Sequence, residues 1–147
     1  MSTLASAPGC ATRALCASLL LAPLFAVAAD LQVVVTHAPD GPAVLYAALY
    51  DSAAAYDGDK AVATQMLPMR GGDVRLAFLG LPAGSYALKV FADANGNGKL
   101  DTNLLGLPTE RYGFSKDATG QRSAPGFDAA ALRLDDGASV TTTIHLR

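Results

Sequence analysis

The sequence predicts an all-β protein: a single antiparallel β-sandwich of about seven strands with one long irregular loop. Short segments alternate apolar and polar side chains, and Gly- and Pro-containing turns separate these segments at regular intervals. No segment after residue 30 shows a convincing helical period. Many short strands between regular turns are typical of a sandwich, so the predicted domain covers residues 30–147.

The first 28 residues are predicted to be a secretory signal peptide rather than part of the domain. Arg13 precedes an apolar run, residues 14–29, which contains the small-x-small sequence Ala26-Val27-Ala28. One early positive charge, a short apolar core and a small-residue cleavage site are typical of such peptides. The run is shorter than the about 20 apolar residues that span a membrane. We therefore expect a periplasmic or secreted protein without a membrane span after cleavage; a buried N-terminal helix is the alternative.

Composition excludes several kinds of chemistry for the predicted mature chain of about 118 residues. Both cysteines, Cys10 and Cys16, lie in the predicted signal peptide, so the mature chain has no disulfide, thiol nucleophile or thiolate metal site. Arg13 is the only charged residue before Asp30, which leaves 10 of the 11 basic residues and all 13 acidic ones. There is no basic cluster, so nucleic acid is not an expected partner.

The first three predicted strands differ in their expected places in a sheet. Residues 31–36 (LQVVVT) are short and β-branched, which is typical of a strand. Residues 43–50 (AVLYAALY) are apolar on both alternating faces, which predicts a central strand. A small polar segment, residues 51–60, is either a helical turn or a loop. Residues 61–70 contain Pro68, and because proline cannot donate to a strand ladder, this strand is predicted at an edge.

Four further strands are predicted to form two hairpins, at residues 74–78 with 85–91 and at residues 129–134 with 138–147. The turn sequences LPAG and DDG separate the two members of each pair. Between the hairpins, residues 102–128 are Gly- and Pro-rich and irregular. Loops of this length in a compact domain are usually functional or disordered, and the three aromatic residues of this loop argue against disorder.

The segment DANGNGKLD, residues 93–101, has the spacing of a calcium-binding loop. Side-chain oxygens fall at its positions 1, 3, 5 and 9, which are Asp93, Asn95, Asn97 and Asp101. Gly98 stands at position 6, where such a loop turns sharply, and Lys99 at position 7 would offer its main-chain carbonyl. The sequence therefore predicts one structural Ca²⁺ as the cofactor.

Position 12 departs from the helix-loop-helix calcium motif, since it is Leu104 and not a bidentate glutamate. A strand and not a helix precedes the segment as well. The predicted site is thus a strand-borne loop, completed by Asn103 or Glu110 from the following loop, with weak affinity of about 10⁻⁴–10⁻³ M. The alternative is a series of Asx-turns, in which Asn and Asp side chains satisfy the nearby backbone.

The stretch from residue 81 to 115, LPAGSYALKVFADANGNGKLDTNLLGLPTERYGFS, resembles a family of bacterial exported proteins called domain of unknown function 2141. The shared motifs here are Leu-Pro-x-Gly-x-Tyr-Ala, Asp-x-Asn-x-Asn-Gly-x-x-Asp and Gly-x-Pro-x-Glu-x-Tyr-Gly-Phe-Ser, followed by Pro-x-Phe at residues 125–127. The family usually has His where this chain has Ala92, and Gly is common where Arg111 stands. The resemblance implies an exported β-sandwich similar to transthyretin-like, immunoglobulin-like and carboxypeptidase-regulatory-like modules, and it implies no particular reaction.

Three functional hypotheses follow from these observations. The favoured one is a non-enzymatic exported module with a structural calcium loop, which binds a ligand or partner protein in the cell envelope or outside the cell. Its possible ligand surface consists of Arg111, Tyr112, Phe114 and Ser115, although the two aromatic residues are equally explained as the core of the long loop.

The first alternative is a hydrolase acting on an envelope or extracellular substrate. It would need positioned acid, base or nucleophilic groups, and the candidates are Ser115 or a carboxylate pair of Glu110 with Asp117 or Asp128. The sequence assigns no catalytic residue. The second alternative is a purely structural accessory domain.

Overall fold

A computed structural model describes residues 27–147 of the chain, so the predicted signal peptide at residues 1–28 lies outside the described residues except for its last two. The strands of this part are β1 (Ala29–Thr36), β2 (Ala43–Tyr50), β3 (Ala63–Met69), β4 (Val74–Leu81), β5 (Gly84–Asp93), β6 (Tyr112–Phe114), β7 (Leu132–Leu134) and β8 (Ser139–His145). The helices are α1 (Ala53–Asp57), α2 (Phe127–Ala130) and a 3₁₀ turn (Ser115–Asp117). No helix within residues 27–147 is both long and apolar enough to cross a membrane.

The strands form two sheets that pack face to face, which confirms the predicted all-β sandwich. The smaller sheet has the order β4-β1-β8, and the larger has the order β3-β2-β5-β6, with β7 paired to the beginning of β5. As predicted, β2 is central and β3 lies at an edge, where Pro68 faces Val44. One pair departs from the antiparallel pattern, because β1 and β8 run parallel.

Both predicted hairpins are wrong in their pairing, although their segments are strands. β4 pairs with β1 and β5 pairs with β2, so the LPAG turn carries the chain from one sheet to the other. Likewise β7 pairs with β5, whereas β8 pairs with β1. Local alternation identifies a strand, but its partner is decided by how the two inner faces bury each other.

The main core lies between the sheets and is built by alternate side chains of each strand. On β1, for example, Leu31, Val33 and Val35 are buried while Gln32 between them is exposed. Each such buried side chain contributes about 1.5–3 kcal/mol relative to an exposed one. This inward set leaves the other face of each strand free to contact loops, helices or solvent.

One open side of the sandwich is closed by β6 and Arg147, which lies two residues after the end of β8. Tyr112 and Arg147 exchange two main-chain hydrogen bonds, of 3.1 and 3.0 Å. The close approach requires Gly113, since a Cβ there would lie 2.5 Å from Cγ2 of Ile144. The segment 102–128 that the sequence predicts as irregular therefore contains a short strand that joins the two sheets.

A second cluster of apolar side chains lies outside the main core and holds the helices and the long loop. Its buried members are Tyr50, Tyr56, Ala87, Phe114 and Ala130, with Tyr112 and Phe127 packed against them. The three aromatic residues of the long loop thus order it, as the sequence predicts. This cluster also holds β6 at the edge of the larger sheet, next to a groove on the outer face of that sheet.

Candidate functional site

A groove of about 500 Å³ lies on the outer face of the larger sheet. Its floor comes from β2 and β5, one wall from β6, and the other wall from the end of the polar loop that follows β5. Its lining residues include Tyr46, Ala48, Lys89, Phe91, Gly98, Lys99, Leu100, Tyr112, Phe114 and Ala124. Most of the exposed lining is apolar, which is typical of a small-molecule site.

The floor of the groove carries a stacked pair of aromatic side chains, which we call the aromatic platform. Tyr46 on β2 and Phe91 on β5 are directly paired in the sheet register. Their rings are nearly parallel and stacked, with an interplanar angle of 7° and 4.9 Å between centroids. Both residues belong to the outward set of their strands and are only half-buried, so part of the apolar surface of the pair lines the groove.

One end of the groove carries a charged pair that is fully engaged. Lys89 Nζ donates to the carbonyl of Tyr56 at 2.7 Å and to Asp59 Oδ1 at 3.1 Å, and it lies 4.3 Å from the centroid of the Tyr56 ring. The Tyr50 hydroxyl donates to the same Asp59 oxygen at 2.6 Å. This hydrogen bond is the main cause of the lowered pKa of Asp59, while burial raises the pKa of Tyr50. These groups therefore stabilise one another at this end of the groove.

The second wall of the groove belongs to the polar loop, residues 93–101. Gly98, Lys99 and Leu100 line the groove, and a Cβ at Gly98 would lie 3.4 Å from the Tyr46 hydroxyl. Gly98 has a φ of 73°, a conformation that L side chains rarely adopt. The shape of this wall therefore depends on the conformation of the loop.

Asp93 organises the loop from its first position. The side chain is buried, and its carboxylate accepts hydrogen bonds from the N–H groups of Asn95, Gly96 and Gly98 at 3.1, 2.6 and 2.8 Å. Burial opposes ionisation, but these N–H groups outweigh it and lower the pKa of Asp93. The carboxylate therefore holds the loop closed around itself.

The other predicted ligands converge on Asp101. The amide nitrogens of Asn95 and Asn97 each donate to one oxygen of the Asp101 carboxylate. The side-chain oxygens of the same two residues accept from the N–H groups two positions later, which are those of Asn97 and Lys99, at 3.0 and 2.9 Å. This pattern is a double Asx-turn, the arrangement that the sequence leaves open as the alternative to calcium.

Glu110 joins the two ends of the loop. Its Oε1 accepts from the N–H of Ala94 at 2.9 Å, and its Oε2 accepts from the N–H of Asp101 at 3.1 Å. The predicted ligands from the polar loop and Glu110 thus belong to one hydrogen-bonded unit, whereas the side-chain oxygen of Asn103, the other candidate, accepts from the N–H groups of Leu105 and Leu107 instead. Between residues 27 and 147, no three His, Cys, Asp or Glu side chains are grouped so as to hold a metal ion.

The four residues of the predicted ligand surface do not lie on one surface. Tyr112 and Phe114 line the groove, whereas Arg111 is exposed beyond its edge. Ser115 is completely buried; its hydroxyl accepts from the N–H of Leu88 at 2.9 Å and donates to the carbonyl of Ala130 at 2.6 Å. The hydroxyl of Ser115 therefore serves the backbone.

Asp117 and His145 form a separate pair on the surface. The Asp117 carboxylate accepts from the His145 N–H at 2.8 Å and contacts the ring Nδ1 of the same residue. Because the Ser115 proton is directed to a carbonyl, the described hydrogen bonds do not connect this serine to the His145 ring. The hydrolase hypothesis gains no support from this group of residues.

The residues that sequence reasoning missed are those of the platform. Tyr46 and Phe91 stand in the outward sets of two adjacent strands, and an outward aromatic residue on each is the signal that predicts such a surface. In the sequence, the apolar outer face of β2 indicates only that this strand lies in the centre of a sheet. Their pairing depends on the register of β2 against β5, which local pattern does not define.

Comparison with known proteins finds one match. A family model described as "Uncharacterized protein conserved in bacteria (DUF2141)" matches residues 33–142, which is most of the chain. The match spans β1 to the middle of β8 and includes the polar loop and the groove. No curated protein and no solved structure matches the chain.

Proposed function

The chain belongs to the DUF2141 family of bacterial proteins, and we propose that it is an exported, non-enzymatic binding module whose groove takes a small ligand with a flat apolar face. The observation that carries this proposal is the half-buried, stacked pair of Tyr46 and Phe91 at the floor of a groove of about 500 Å³. Pockets that bind small molecules have this size and this largely apolar lining.

The chemistry of the ligand follows from the walls. A flat apolar ring system can pack against the exposed parts of the two stacked rings in the offset or edge-to-face arrangement that aromatic pairs prefer, which contributes about 0.5–1.5 kcal/mol beyond the burial of area. Lys99 is exposed on the loop wall, so a negatively charged substituent on the ligand would be favoured there. Lys89 is already paired with Asp59 and does not add to this preference.

Anilinonaphthalene sulfonate has both features, a flat aromatic body and one negative charge, and is the probe of choice. Titration of the protein with this dye should give saturable binding to one site, seen as an increase in fluorescence. Phe91→Ala should weaken binding about tenfold, because half of the platform is lost. Leu79→Ala is the matched control, since Leu79 is an exposed apolar residue on β4 of the other sheet.

Urea unfolding and near-ultraviolet circular dichroism should show that both variants remain folded, because this dye also binds partly unfolded proteins. Unsaturable binding, or equal affinity in the wild-type protein and Phe91→Ala, would contradict the proposal.

The proposal includes one structural Ca²⁺ in the polar loop. Its support is the convergence of Asn95 and Asn97 on the Asp101 carboxylate. Rotation of the two amides would turn their oxygens toward the same point, and oxygen ligands are what calcium prefers. The ion would fix the wall formed by Gly98 and Lys99 and so keep the groove open for its ligand.

Calorimetric titration with CaCl₂ and thermal unfolding with and without EDTA test the calcium component. Calcium at a hundredfold excess over Kd should add about 2.7 kcal/mol to the free energy of unfolding. Asp101→Asn should abolish this gain, whereas Asp135→Asn, in an exposed turn, should keep it. No heat of binding at millimolar calcium, together with a melting temperature that EDTA leaves unchanged, would favour the Asx-turn alternative.

Export is the remaining component of the proposal, and it rests on the signal-peptide pattern at residues 1–28. Because β1 begins at Ala29, cleavage after Ala28 would leave the first strand complete. N-terminal sequencing of protein recovered from the periplasm or medium should begin at Ala29 or Asp30. Material that begins at Met1 would contradict this component alone and would leave the groove unaffected.

A further inference from the structure

The segment 102–108, TNLLGLP, projects three leucines into solvent directly after the polar loop. We define it as the leucine tip. Leu104 is fully exposed, and Leu105 and Leu107 are 82% and 56% exposed. Within residues 27–147 no other short segment carries three exposed large apolar side chains. Scattered exposed leucines are ordinary, but a cluster of this kind marks an interaction site.

The leucine tip is held in shape by its own hydrogen bonds. The Asn103 side-chain oxygen accepts from the N–H groups of Leu105 and Leu107 at 2.9 and 3.1 Å, and its main-chain carbonyl accepts from Gly106. The Asn103 N–H donates to the carbonyl of Leu107 at 2.8 Å. A strand-like bridge between Thr102 and Pro108 closes the base. Most polar groups of this backbone are thus satisfied internally, as entry into an apolar phase requires.

The charged side chains around the base of the tip differ in exposure. Asp101 and Glu110 are half-buried, and hydrogen bonds hold their carboxylates against the loop. Three cations lie near them: Lys99, Arg111, and Arg122, which lines the same recess as Leu107. In the part of the chain that the structure describes, these three exposed side chains make no hydrogen bond or ion pair. Cations of this kind are complementary to anionic headgroups, which attract basic side chains near a membrane surface.

We propose that the leucine tip docks the protein on an anionic phospholipid surface, with Leu104, Leu105 and Leu107 inserted among the acyl chains and Lys99, Arg111 and Arg122 at the headgroups. The composition of the tip favours lipid over a protein partner. A stable protein interface buries about 800 Å² on each side around aromatic or arginine anchors. Residues 102–108 contain no aromatic or basic side chain, so the tip lacks such an anchor of its own, whereas a fluid lipid surface accepts leucines without a complementary shape.

The chain contains no tryptophan, so a single introduced tryptophan reports on its own position. Leu105→Trp places the probe in the tip, and Leu79→Trp is the matched control on an exposed site of β4. Both full-length variants are mixed with vesicles of phosphatidylcholine containing phosphatidylglycerol, with or without brominated acyl chains. The probe at residue 105 should shift its emission to shorter wavelength and be quenched by the bromines, while the probe at residue 79 should show neither effect.

This readout is independent of how the N-terminal segment behaves, because an anchor elsewhere in the chain would leave the probe at residue 105 in water. Emission at residue 105 that vesicles do not change overturns the proposal. Equal quenching at residues 105 and 79 also overturns it, since it indicates general insertion and not docking through the tip.

A second measurement keeps the test independent of the probe. A variant with Leu104→Ser, Leu105→Ser and Leu107→Ser should partition onto the anionic vesicles on the order of a thousandfold more weakly than Leu79→Ser, because each of the three inserted leucines contributes about tenfold to partitioning. Binding should also fall with added salt and be weaker for vesicles of phosphatidylcholine alone.

Vesicle binding that is equal in the two serine variants overturns the proposal. A concentration-dependent dimer of the wild-type protein that the triple variant loses overturns it as well, because the leucines would then belong to a contact between two copies of the chain.

Discussion

Replacing Ser115 with alanine should destabilise the fold strongly, although only one oxygen atom is removed. The register of β6 on β5 would place Ser115 opposite Leu88. Here the buried serine hydroxyl, and not a main-chain carbonyl, accepts the Leu88 N–H at 2.9 Å, and it also donates to the Ala130 carbonyl at 2.6 Å. The side chain thus continues the ladder beyond the end of the strand and ties α2 to it.

The expected magnitude follows from the two groups that Ser115→Ala leaves without partners. Each buried main-chain group that loses its hydrogen bond costs about 1–3 kcal/mol, so the loss of two should lower the free energy of unfolding by about 2–6 kcal/mol. For a domain of this size the melting temperature should then fall by roughly 10 °C or more.

Urea unfolding followed by far-ultraviolet circular dichroism measures this loss directly. Ser139→Ala is the matched control, because Ser139 is exposed at the start of β8, and it should change the free energy of unfolding by less than about 0.5 kcal/mol. A loss in Ser115→Ala as small as in the control would refute the structural role of the hydroxyl. A loss of dye binding without any loss of stability would refute it too and would return Ser115 to the ligand surface.

Three further predictions concern packing and ionisation. Gly113→Ala should lower the free energy of unfolding by about 1–3 kcal/mol, because the added Cβ would overlap Ile144. Gly41→Ala is the control in urea unfolding and should be neutral, since no atom lies within 4 Å of a Cβ there. Burial opposes ionisation of Asp117, but hydrogen bonds from His145 outweigh burial and lower the pKa of Asp117 below 3.8. The ionised carboxylate therefore stabilises the fold above pH 3.8, and this stabilisation is lost as the pH falls through the folded-state pKa. Asp117→Asn should therefore lower the melting temperature at about pH 7 and not at about pH 2, and an equal effect at both would contradict the assignment. Burial raises the pKa of Tyr56 to about 12, so Tyr56→Phe should leave the phenolate absorbance below about pH 11 unchanged, and a decrease there would show that Tyr56 ionises like an exposed tyrosine.

The sequence predicts the strands of this protein better than their partners. Apolar side chains on both faces of residues 43–50 and Pro68 in residues 61–70 are local signals, and they place β2 in the centre and β3 at the edge of a sheet. β1 pairs with β4, and in parallel with β8, although these strands lie far apart in the sequence. These pairings depend on how the two sheets bury each other's inner faces, which no local pattern shows. Turn residues show where the chain bends but not whether the next strand joins the same sheet.

In the candidate site, too, the local part can be predicted from the sequence and the non-local part cannot. The polar loop 93–101 is local, so its spacing alone brings its oxygen-bearing side chains together, and the structure adds Glu110 to the same unit. The aromatic platform is non-local, because it requires the register that sets Tyr46 opposite Phe91. The burial of Ser115 cannot be predicted from the sequence either. The residues around this serine would be the same whether its hydroxyl faced solvent or bonded to the backbone.

The groove on the larger sheet is the ligand site that we propose. Nuclear magnetic resonance of the ¹⁵N-labelled protein during titration with anilinonaphthalene sulfonate tests this assignment most directly. We expect saturable shifts of the amide signals of Tyr46, Phe91 and Gly98, which line the groove, while those of Val33 and Val35 on β1 of the other sheet remain in place. Shifts confined to the smaller sheet, or no saturable shift in the groove, would contradict it.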